Sequence, residues 1–78
     1  MNKVRLIWDF RGPNALHIAK HHKIHLEEFI ALEKVVFHDI SIAEHSEFYI
    51  SVFLIVNEDD MTQLRTQLKP HRGQRVNS

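Results

Sequence analysis

Seventy-eight residues, ten basic and ten acidic and so without net charge at pH 7, make one small domain with a modest core. The absence of cysteine excludes disulfides, thiolate metal sites and a cysteine nucleophile. Balanced charge argues against a nucleic-acid partner, and the longest apolar run, residues 52–56, is too short to cross a membrane.

The amino terminus has no signal-peptide core, so a cytoplasmic protein is expected. Residues 3–10 alternate, with Val4, Leu6, Trp8 and Phe10 on one face and Lys3, Arg5, Ile7 and Asp9 on the other. That period of two predicts a strand with one buried face. Gly12-Pro13 then marks a turn.

A helix is predicted over residues 14–34, a stretch holding four of the seven histidines. Pro13 suits a first helical position behind a Gly12 cap, and Asn14 is a competing cap. Steps of about 100° place Ala15, Ile18, Ala19, His22, Leu26, Phe29, Ile30 and Glu33 on one side. His17, His21, His25 and Glu28 fall on a flank. No glycine follows Lys34, so tertiary context must end the helix.

Residues 36–43 alternate again, with His38, Ile40 and Ile42 opposite Phe37, Asp39, Ser41 and Ala43. The first set is aliphatic, and His38 is expected there as a partly buried, hydrogen-bonded histidine. Residues 44–47 read as a hairpin loop. Residues 48–56 are apolar on both faces and should be central in the sheet. Asn57 caps a second helix, whose first turn is acidic and whose stripe is Met61, Leu64 and Leu68; Pro70 stops it. Residues 1–70 form the domain; residues 71–78 are a short edge strand or a flexible tail, and the single aliphatic Val76 favours the tail. The order β-α-β-β-α, with a possible last β, resembles the ferredoxin-like α+β pattern: an antiparallel sheet with two helices on one face.

Two glycines cannot build a phosphate cradle, and no serine sits in a nucleophile-elbow context. Two places for chemistry remain. His17, His21 and His25 follow one another at four-residue spacing, and two imidazoles one turn apart can chelate a divalent ion such as zinc. The outer two are about 12 Å apart along the axis, so one ion takes only a neighbouring pair. Topology gathers a second set at one end of the sheet: Asp9, Arg11, Asn14, His17, Glu44, His45, Glu47, His71 and Arg72. There the helix amino terminus and Arg11 could receive an anionic ligand, with Asp9, Asn14, His17 and His45 around it; an Asp9–Arg11 ion pair is the competing arrangement.

Ile7, Tyr49, Phe53 and Ile55, with Phe37 and Ala43 nearby, make the helix-free sheet face apolar beyond what two small helices can cover. A homo-oligomer through that face is expected. The function expected is a small non-enzymatic oligomeric binding or interaction module, with no nucleic acid and no membrane. The alternative is a small histidine-dependent enzyme or divalent-metal protein with its site at the start of the first helix.

Overall fold

The computed structural model describes residues 2–76. Its elements are β1 (Lys3–Arg11), α1 (Ala15–Glu33), β2 (Phe37–Ser46), β3 (Tyr49–Asn57), a single 3₁₀ turn (Glu58–Asp60), α2 (Met61–Leu68) and β4 (Arg72–Val76). The four strands form one antiparallel sheet in the order β2-β3-β1-β4. Both helices pack on one face, in a ferredoxin-like arrangement. Of the two sequence alternatives for the end of the chain, the edge strand is realised over Arg72–Val76; residues 77 and 78 lie outside the described residues.

The period-two pattern explains the core. Val4, Leu6 and Trp8 of β1 and Ile50, Val52, Leu54 and Val56 of β3 are buried towards the helices. Each removes a branched or aromatic side chain from water, worth about 1.5–3 kcal/mol apiece for the aliphatic ones. Ala15, Ala19, Leu26 and Ile30 of α1 and Leu64 of α2 close the core from above. Trp8 buries its ring and donates its indole N–H to the Leu68 carbonyl at 3.1 Å, fastening the end of α2 to β1.

The buried arc of α1 is displaced slightly from the expected stripe. Ile18 is 46 % exposed, while Leu16 packs against the core. The small Ala15 and Ala19, both fully buried, set which side of the helix lies on the sheet. Asn14 occupies the cap position without a side-chain capping bond, and Gly12 (φ 114°) makes the turn that Pro13 follows. Both helices end in a lysine with left-handed backbone, Lys34 (φ 53°) and Lys69 (φ 49°). The Lys34 N–H bonds to the Ile30 carbonyl and the Lys69 N–H to the Arg65 carbonyl.

The second strand departs from simple alternation. Pairing with β3 shifts between Phe37 and Asp39 and again between Glu44 and Ser46. The first irregularity sets Phe37 opposite Val56, on the helix side, and removes it from the helix-free patch. It also corrects the placement of His38, which is exposed rather than packed on the aliphatic face, with Nε2 2.7 Å from the Asn57 side-chain oxygen. The hairpin turn is also tighter than expected, since β2 runs on through Ser46.

Candidate functional site: a carboxylate-centred network on the helix-free face

Register places Lys3, Arg5, Ile7, Asp9 and Arg11 of β1 beside Asn57, Ile55, Phe53, Ser51 and Tyr49 of β3, all pointing away from the helices. Arg72 and Gln74 of β4 join them on one side, and Asp39, Ser41 and Ala43 of β2 on the other. Asp9 is the hub of this face. Its Oδ1 accepts the Ser51 hydroxyl at 2.6 Å and the Tyr49 hydroxyl at 3.1 Å. Arg72 grips both carboxylate oxygens, Nε to Oδ2 at 2.9 Å and Nη2 to Oδ1 at 3.2 Å. The Arg72 guanidinium, aided by the two hydroxyls, holds the Asp9 carboxyl far below the usual carboxylate range, against the opposing effect of burial. Asp9 in turn raises the Arg72 pKa.

His45, in the second irregular stretch of β2, reaches the same cluster. Its Nε2 is 3.0 Å from the Ser51 oxygen. Ser51 gives its hydrogen to Asp9, so Nε2 of His45 carries the proton and donates. The chain therefore runs His45 to Ser51 to Asp9. This is the reverse of nucleophile activation, where a histidine accepts the serine proton. Ser51 is also fully buried. These three residues hold a structure together and offer no nucleophile.

Tyr49 is layered between strands. The Arg11 guanidinium from β1 lies 4.0 Å from its ring centroid, and the His45 ring from β2 stacks at 4.3 Å. Arg11 has no ion-pair partner among the described residues, because Asp9 pairs with Arg72. Of the expected ligand set, Asp9, Arg11 and His45 are thus brought together through Tyr49. Asn14 and His17 are not: they lie at the start of α1, on the other side of the sheet. His71 adjoins the cluster by accepting the Asp9 backbone N–H on Nδ1 at 2.8 Å. Tyr49 and Ser51 were not candidate ligand residues in the sequence, and only the cross-strand register reveals them as partners of Asp9.

The histidine row of α1 is intact as a row. His17 and His21 have ring centroids 6.0 Å apart, and His21 and His25 5.4 Å. All three are exposed. No group of three or more potential ligands is placed to hold a metal ion among the described residues. The fourth histidine, His22, faces the sheet between Trp8 (4.9 Å) and Phe10 (5.4 Å). Burial pushes its pKa down, and the neighbouring His25 and His71 add to that. Its Nε2 is buried without a hydrogen-bond partner.

Among the described residues, no helix is long and apolar enough to cross a membrane. Comparison with family models, with curated proteins and with solved structures finds no match to this chain.

Proposed function

We propose that this chain is a small cytoplasmic, non-enzymatic binding module that pairs with a second copy through the helix-free face of its sheet. One observation carries the reading. The polar groups at the centre of that face, Asp9, Arg72, Tyr49, Ser51 and His45, already satisfy one another. A second copy laid over Asp9, Tyr49 and Ser51 meets polar atoms that are already paired, which lowers the penalty for covering them, while Arg11, without an ion-pair partner among the described residues, still needs water or a partner group at the contact. Phe53 and Ile55, half-buried beside them, supply apolar area for the contact. Ile7 contributes less than its position in the sequence suggests, because it is already 2 % exposed within one chain.

The face carries Lys3, Arg5, Arg11 and Arg72 against Asp9 and Asp39 among the described residues. Two such faces repel, so added salt should strengthen the pairing. Light scattering at micromolar concentration tests the reading. A dimer mass is expected for the wild type, and a monomer or an unfolded chain for Phe53→Lys, which forces an unpaired charge into the contact. A monomer mass for the wild type at every salt concentration would refute it.

The one-turn spacing of His17, His21 and His25, with neighbouring ring centroids 6.0 and 5.4 Å apart, supports a second reading, a divalent-metal protein. In it two helical imidazoles chelate an ion such as zinc, and a second chain completes the shell.

A further inference from the structure

We infer that the cleft between α2 and β4 is a binding site for a small monocarboxylate with a short aliphatic body. The cleft opens on the helix side of β4; Arg72 and Gln74, whose side chains belong to the helix-free face, reach its rim, but the site does not depend on the pairing proposed there. It exists because the helix side of β4 is nearly bare. Gly73 presents no side chain, and Arg75 is drawn aside by Glu58, Nη2 to Oε1 at 2.9 Å. Between this strand and α2 lies a cleft of about 320 Å³. That is the lower end of the size range of small-molecule sites.

The lining sets the ligand chemistry. Val4, Met61 and Pro70 offer an apolar floor beside Gly73. Arg65 stands on the α2 wall with no ion-pair partner among the described residues. Its planar fork matches a carboxylate with two parallel hydrogen bonds. His71 is also in the lining. Its Nδ1 is engaged by the Asp9 N–H, so the neutral ring carries its hydrogen on Nε2, a second donor. Glu58 is in the lining too, held by Arg75. Arg75 is paired with Glu58 and Arg72 with Asp9, so Arg65 is the one arginine of the lining left unengaged among the described residues, which suits a single negative charge and disfavours a dianion such as sulfate.

The test is a titration of the ¹⁵N-labelled protein with hexanoate at pH 7, with acetate and sulfate as controls. Saturable shifts are expected in the amides of residues 61–65 and 71–75, with an affinity in the weak range natural to so few ligand atoms. Acetate, lacking the apolar body, should bind about tenfold more weakly or worse. Arg65→Gln should weaken hexanoate about tenfold or more. Gly73→Leu should abolish its binding by filling the floor. Gly73 has no positive φ, and an added Cβ meets Val4 Cγ1 at 3.9 Å and the Arg5 carbonyl oxygen at 4.0 Å, so the backbone accepts a side chain there, and Gly73→Ala is the smaller variant if leucine unfolds the chain. Thermal melts confirm the fold of both variants. Three results overturn the assignment: no saturable shift with hexanoate, wild-type affinity in either variant, or sulfate binding as tightly to the same amides.

Discussion

Removing the Asp9 carboxylate should destabilise the fold by about 2–4 kcal/mol at pH 7. The figure comes from its partners. Ser51 and Tyr49 each donate a hydrogen bond to a charged acceptor, and such bonds contribute about 1.5–3 kcal/mol apiece. They share one oxygen and one network, so they do not add fully. The Arg72 pair is left out of the sum, because its guanidinium is solvent-exposed and screened. For a domain this small the loss is a large part of the total stability. Urea unfolding of wild type and Asp9→Asn reads it directly. With a slope of about 1 kcal/mol per molar urea, the midpoint should fall by about 2 M or more. The pH profile is a second reading of the same group. The folded carboxyl has a depressed pKa, so its stabilisation is complete above the unfolded value. It drains away as pH falls below about 4, where the unfolded chain binds a proton that the folded one resists. Asp9→Asn should lack this part of the acid slope. A midpoint within about 0.5 M of wild type, or an unchanged acid slope, would refute the network as a stabilising unit.

Further outcomes follow from single residues. His22 has a lowered folded pKa, so its contribution should be complete above the unfolded value of about 6.5 and decline as pH falls below it; an NMR titration placing its pKa above that of a free histidine peptide contradicts this. Lys34→Gly should stabilise the chain by about 0.5–1 kcal/mol, because glycine removes the left-handed strain at the end of α1; thermal melting checks the sign. Zinc should bind weakly through neighbouring pairs among His17, His21 and His25, and His21→Ala should remove most of the heat in calorimetry, since His21 belongs to both pairs. Nanomolar affinity, or no change in His21→Ala, rules out that row acting alone.

Element identity and the core face were legible in the sequence because they depend on local period. Val4, Leu6 and Trp8 alternate with Lys3, Arg5, Ile7 and Asp9, of which only Ile7 is apolar, and Ala15, Ala19, Leu26 and Ile30 recur at helical spacing, so either pattern can be read without knowing what packs against it. The anchoring role of Leu64 in α2 was legible for the same reason. The site was legible only as a neighbourhood. Topology indicated that Asp9, Arg11, His45 and Arg72 share one end of the sheet, but not that Asp9 takes Arg72 and leaves Arg11 on the Tyr49 ring. That choice follows from which residues stand opposite one another, Asp9 beside Ser51 and Arg11 beside Tyr49. Register between β1 and β3 is set when their apolar faces are buried together across the intervening α1 and β2, and the period of either strand alone does not tell which residues then stand opposite. The two irregularities of β2 are decided in the same way. One extra residue sits at each: the unpaired His38 puts Phe37 on the helix side while residues 39–43 keep their expected faces, and the unpaired His45 is brought over Ser51, because a bulged residue breaks the alternation where it falls.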